Sequence, residues 1–132
     1  MRVFADTFYF LALTSKKDKA HARALEYSEV AGLATLTTAW VLAELANALA
    51  DPPLRDSFAR LLARIMNNPN CTVVPASGDL FDRGMDLYLS RRDKSWSLTD
   101  CISFLVMEEL DVHEALTGDR HFEQAGFTAL LK

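Results

Sequence analysis

Four acidic residues carry the chemistry this sequence could do: Asp6, Glu44, Asp100 and Asp119. Glu44 stands out first. It is the one charge in the fourteen residues of TTAWVLAELANALA, Thr37 to Ala50, and no Lys or Arg occurs between Ala24 and Leu54. Its neighbours three and four residues away are Trp40, Val41, Asn47 and Ala48, none of which can pair with it along a helix. A carboxylate in apolar surroundings is costly unless something compensates it. A single solvated glutamate would explain Glu44 alone, but the other three acids add to it. Asp6 follows the apolar run RVFA, Asp100 opens the apolar stretch in SLTDCISFLVM, and Asp119 ends ALTGD. Each aspartate also has a structural reading as a helix N-cap, and Ser97 to Asp100 has the S-x-x-D spacing of a capping box. Glu44 is mid-helix and has no such reading. If the four converge, they repel one another and call for a cation; hard oxygen ligands suit Mg²⁺ or Mn²⁺, which also bind phosphate oxygens.

Convergence needs elements that bring the four together. Arg2 to Ala5 reads as a strand, Phe8 to Leu13 and Asp18 to Val30 as helices, and LATLT as a second strand. The Glu44 helix, with Leu42, Leu45 and Leu49 as its core stripe, is expected to stop near Asp51 because Pro52-Pro53 cannot continue it. Leu54 to Met66 is amphipathic, with Phe58, Leu61, Leu62 and Ile65 on one side. CTVVPA is a third strand, and Gly78 to Ser90 a helix with Leu80, Met85, Leu87 and Leu89 apolar. A helix from Leu98 to Leu110, a strand from His113 to Thr117, a short helix after Asp119 and a last strand in FTALL complete the order. Strands alternating with helices predict an α/β sandwich with a mainly parallel sheet, in one domain spanning 1–132. Ligands in such folds bind beyond the carboxyl ends of the strands, near a switch in strand order.

Composition narrows the function. Fourteen basic against eighteen acidic residues give a net charge of −4, which excludes coating nucleic acid by bulk charge. It leaves room for a local patch, and two basic clusters exist: Lys16, Lys17 and Lys19, then Arg91, Arg92 and Lys94. No apolar run approaches a membrane span, and the N-terminal stretch interrupted by Asp6 does not read as a secretory signal, so a cytoplasmic protein without membrane association is expected. Cys71 and Cys101 read as small buried hydrophobes, and neither has a zinc-ligand spacing. His21 and His113 lack motif context.

The segments VFADTFYFLAL, TTAWVLAELANAL, SLTDCISFLVMEEL and ALTGDRHFEQAGF resemble, in order and spacing, the motifs of PIN-domain ribonucleases of the VapC toxin kind. The resemblance covers essentially the whole chain. It implies a PIN-like three-layer sandwich with helices on both faces of the sheet, and an acidic quartet of Asp6, Glu44, Asp100 and Asp119 that is catalytic and binds Mg²⁺ (or Mn²⁺). Thr7 matches the hydroxyl residue that follows the first aspartate, and Thr99 sits beside the third. Many relatives carry a further acid two residues after the last aspartate; here that position is His121, read first as an ordinary loop histidine and otherwise as a weaker ligand or a phosphate contact. The implied activity is metal-assisted hydrolysis of RNA phosphodiester bonds, with Arg91, Arg92, Lys94 and Arg120 as candidates to hold the RNA backbone. The implied partners are an RNA substrate, a VapB-like antitoxin and a second copy of the chain as a homodimer; DTFYFLAL and the Leu54 to Met66 helix could offer the antitoxin a groove. Two other readings compete: a catalytically weak PIN-fold module binding RNA or protein without a toxin role, and a phosphotransfer receiver or aspartyl phosphatase. The second lacks a companion lysine, since none occurs between Lys94 and Lys132.

Overall fold

A computed structural model describes residues 2–132. Five strands, β1 (Arg2–Ala5), β2 (Ala34–Thr38), β3 (Cys71–Val74), β4 (Glu114–Leu116) and β5 (Thr128–Ala129), form one sheet in the order β3-β2-β1-β4-β5. Every pairing is parallel, so the sheet is wholly rather than mainly parallel. A parallel strand needs a crossover, and seven helices supply them: α1 (Thr7–Thr14), α2 (His21–Ser28), α3 (Ala39–Ala48), α4 (Pro52–Asn67), α5 (Gly78–Ser90), α6 (Leu98–Glu109) and α7 (Arg120–Gln124). Val3, Phe4 and Ala5 are consecutive and all buried, which requires both faces of β1 to be covered.

The chain leaves β1 to build β2 and β3 on one side, then returns to lay β4 and β5 on the other. The switch in direction therefore lies between β1 and β4, whose last residues, Ala5 and Leu116, are partners in register. A cleft opens beyond such a switch because the two connections leave in opposite directions. Asp6 and Thr117 are the next residues out.

Several expected boundaries moved for physical reasons. The α3 stripe is Val41, Leu45 and Leu49, spaced by four, while Leu42 is only half-buried; this brings Glu44 to the flank of the buried face. Pro52 and Pro53 do end the Glu44 helix, but they also start α4, occupying its first turn where a missing N–H costs nothing. The α2 helix begins at His21 instead of Asp18, because the Asp18 carboxylate accepts a hydrogen bond from the Ala20 amide (2.8 Å) in a preceding turn. Met85 is half-buried and Leu89 exposed, whereas Gly84 is the buried residue of α5 beside Leu80. Cys101 is fully buried, but Cys71 only partly.

Candidate active site

Asp6 is 5% exposed and opens α1, yet its side chain makes no cap hydrogen bond. It faces the switch instead, where the Thr117 hydroxyl donates to its Oδ2 at 2.9 Å. The same Thr117 oxygen accepts from the Asp119 amide at 3.1 Å, so one buried hydroxyl ties the first acid to the loop carrying the last. On the other side of β1, Thr37 donates to the Ala5 carbonyl at 2.9 Å, and Thr38 caps α3 by accepting from the Val41 amide. The sequence reading missed Thr117; its signal was a β-branched hydroxyl ending β4, immediately before Gly-Asp. Gly118 is required there as well, since a Cβ would lie 2.5 Å from the Phe8 ring.

Asp100 and Asp119 do serve as caps, and the capping reading does not compete with a site. Ser97 and Asp100 form both halves of the capping box: Asp100 N–H donates to Ser97 Oγ (3.0 Å), and Ser97 N–H to Asp100 Oδ2 (3.1 Å). Asp119 Oδ1 accepts from the His121 amide at 2.9 Å and so starts α7. These bonds hold both carboxylates at defined angles while leaving them lone pairs to spare. Thr99 is half-buried within the first turn of α6, where its carbonyl accepts from Ser103.

His121 is not an ordinary loop histidine. It lies in the first turn of α7, with Nδ1 3.1 Å from Asp100 Oδ2 and 3.3 Å from Asp119 Oδ1. Asp100, Asp119 and His121 offer ligand atoms that all lie within 4.8 Å of one another.

The electrostatics connect the remaining acids. Burial pushes the Asp6 carboxyl up to about 7, against the lowering effect of the Thr117 hydroxyl, and repulsion from Asp100 and Glu44 adds to the rise. Burial also raises Asp100, with Asp119 repelling its charge and the Ser97 amide and His121 opposing. Asp6 thus feels Asp100 and Glu44, and Asp100 feels Asp119, which brings all four acids into one neighbourhood. Glu44 reaches it half-buried from α3, and no cation among the described residues pairs with it. The donor set of carboxylate oxygens and one imidazole suits a divalent cation, which would offset the repulsion. The buried Thr7 hydroxyl, which has no partner, is a further polar group that packing alone leaves unexplained.

Beside this cluster lies a groove of about 720 Å³ whose lining includes Tyr88, Arg91, Arg92, Lys94, Trp96 and Ser97. Trp96 anchors it: the indole packs edge-on against Phe104, donates to Gln124 Oε1 at 3.1 Å, and carries the Arg91 guanidinium over its face at 5.0 Å. Arg91 and Lys94 share Asp93, whereas Arg92 pairs with no acid among the described residues and donates to the Leu89 carbonyl. Three of the four candidate backbone-binding residues therefore line one groove, which reaches Asp100 through Ser97. Arg120 does not line this groove; it is exposed, next to Asp119 in sequence.

An all-parallel α/β sheet with acids gathered beyond its switch point is the architecture of the PIN domain. The family model for the PIN domain matches residues 3–128, and the chain belongs to that family. Among solved structures, it is similar to the Mycobacterium tuberculosis VapC20 toxin, which cleaves the sarcin-ricin loop: 24% identity, 96% of each chain covered and a TM-score of 0.83, a likeness of fold. No curated protein matches the chain. Among the described residues no helix is long and apolar enough to cross a membrane.

Proposed function

We propose that this chain is a divalent-metal-dependent endoribonuclease and the toxin of a VapBC-type pair. The observation that supports the reading is the linkage of Asp6, Asp119 and Asp100 beyond the β1–β4 switch through the Thr117 hydroxyl and His121, with Glu44 near enough to repel Asp6; a cation would relieve that repulsion. Asp6, Asp100 and Asp119 are the principal residues that would hold Mg²⁺ or Mn²⁺, with Glu44 and His121 beside them. When bound, such an ion supplies a nucleophilic water of lowered pKa and neutralises charge on the phosphate.

The chain's own groups do the rest. Thr117 and the Ser97 amide fix the Asp6 and Asp100 carboxylates, so that little ordering remains when substrate arrives. Glu44, which caps no helix and has no cation partner, is the acid free to accept a hydrogen bond and then a proton from the attacking water. Water oxygen bonds to phosphorus as one P–O bond of the strand breaks, and the departing oxygen takes a proton from solvent water to leave as a hydroxyl. Arg91, Arg92 and Lys94 hold the flanking phosphates along the groove, with Arg120 beside Asp119 as a further candidate. Accessible, unstacked segments of RNA are the substrates such a groove can take. A VapB-like antitoxin would place an apolar side chain in the cavity of about 270 Å³ between α1, α2 and α4, lined by Tyr9, Phe10, Leu13, Leu61 and Ile65; of the other apolar residues of DTFYFLAL, Ala12 is core and Phe8 and Leu11 are half-buried. The same reading includes a second copy of the chain as partner in a homodimer.

The test is cleavage of a pool of structured RNAs by the purified protein with Mg²⁺ or Mn²⁺ against EDTA, beside Asp6→Asn and Glu44→Gln. Metal-dependent cutting lost in Asp6→Asn and reduced by about 100-fold or more in Glu44→Gln, with both variants folded, is the expected result. Identical faint cutting by all three proteins would instead favour a binding module without turnover.

A further inference from the structure

The geometry points to His121 as a nitrogen ligand that makes this site select Mn²⁺ over Mg²⁺, an inference that rests on the metal-dependent nuclease reading above. Three observations carry it. His121 Nδ1, the ring atom nearer the backbone, faces two carboxylate oxygens at 3.1 and 3.3 Å. That spacing is the roughly 3 Å separation of adjacent ligands around a six-coordinate ion with bonds of about 2.1 Å. The side chain is also already placed: its own amide donates to Asp119 Oδ1, so Asp119 and His121 form a short two-donor unit at the start of α7. Finally, Trp96 and the α6 capping box hold the facing wall, so Asp100 does not swing away from the imidazole.

The chemistry follows from the donor. Mg²⁺ demands oxygen ligands and gives up water reluctantly, so an imidazole in place of a carboxylate removes both a favoured atom and a negative charge. Mn²⁺ shares the oxygen preference of Mg²⁺ but, as a first-row transition ion, tolerates an imidazole donor beside the carboxylates better. A carboxylate at this position would shift the balance back to Mg²⁺. Nδ1 would bind through its ring lone pair, which faces the two carboxylate oxygens.

The experiment measures dissociation constants for Mn²⁺ and for Mg²⁺ by calorimetry on the intact wild-type chain and on His121→Asp, and examines bound Mn²⁺ by pulsed EPR for coupling to ¹⁴N. The expected result is a ¹⁴N coupling in the wild type that vanishes in His121→Asp, and a Mn²⁺-over-Mg²⁺ preference at least roughly tenfold smaller in the variant. Bound Mn²⁺ with no ¹⁴N coupling in the wild type, and an unchanged preference in the variant, would overturn the inference while leaving the nuclease reading intact. Failure of either ion to bind the wild type at millimolar concentration would overturn both. The wild-type spectrum decides the ligand by itself should His121→Asp not fold.

Discussion

Asp6 is the residue whose charge this fold makes most costly, and that cost can be measured. Its carboxyl is raised from an ordinary 3.8 to about 7, chiefly by burial. Between those values the native state holds a proton that the unfolded chain has released, so stability falls as pH rises through that window and levels off above it. At 1.36 kcal/mol per pH unit, the full effect is about 4 kcal/mol. Asp6→Asn keeps an oxygen that can accept from Thr117 but carries no charge. In EDTA the variant should therefore be more stable than the wild type by up to about 4 kcal/mol at pH 8, narrowing to less than half of that at pH 5. Urea unfolding at the two pH values checks this; an equal gap at both would mean that charge burial is not what separates the two proteins. The same residue would thus oppose folding and be indispensable to activity, the pattern expected where function is maintained at a cost in stability. At this scale the sequence was a good guide to the acids, because an unpaired acid in an apolar run is conspicuous. It was a poor guide to Thr117 and His121, whose importance comes from partners 111 and 21 residues away.

Among the elements, α6 matters most to the site, since it carries Asp100 and packs against both α5 and α3. The α5–α6 approach is set by Gly84: a Cβ there would lie 2.4 Å from Ile102 Cγ1. Two effects compete in Gly84→Ala. Alanine favours a helix over glycine by about 1 kcal/mol. Overpacking a filled core costs about 1–3 kcal/mol, and Ile102 is fully buried and β-branched, so it cannot turn aside. The clash wins. Gly84→Ala should lower stability by up to about 2 kcal/mol and shift α6 enough to reduce cleavage, measured as a lower melting temperature and a slower turnover at saturating RNA. A variant as stable as the wild type would show that α5 can yield there. All twelve elements were readable in order, because the strands are short β-branched runs and the helices have polar gaps between them. What the sequence concealed was the detail of each face. Two candidate stripes on α3 differ by a single residue, Leu42 against Val41, and only the neighbours of that helix decide which is buried. In the same way the strand pairing, and hence the switch that makes Asp6 and Thr117 neighbours, depends on contacts across the whole chain.

Taken as a whole, the molecule is a polyanion that must hold another polyanion. Its net charge of −4 repels RNA at long range, so binding depends on cations gathered in one place. The groove provides them: Arg91, Arg92 and Lys94 line it together, and of these Arg92 has no acidic partner among the described residues. Asp93 partly neutralises the other two, so the groove engages about two to three phosphates in place of the longer tracks of a nucleic-acid-coating protein. For a single strand this gives a slope of log affinity against log salt of about −1.4 to −2.1, or a roughly 7- to 20-fold weakening between 50 and 200 mM salt. Arg92→Ala should reduce the magnitude of that slope by about 0.7, whereas the same change at Lys16, far from the groove in sequence, should leave it alone. Fluorescence anisotropy of a labelled single-stranded RNA with the non-cleaving Asp6→Asn protein measures both slopes, with Arg92→Ala and Lys16→Ala added in turn. Equal losses from the two substitutions would mean that RNA is held by diffuse charge, and the groove beside Asp100 would then have no claim to deliver the scissile phosphate to the acids. A loss confined to Arg92 ties binding to the groove that is continuous, through Ser97, with Asp100.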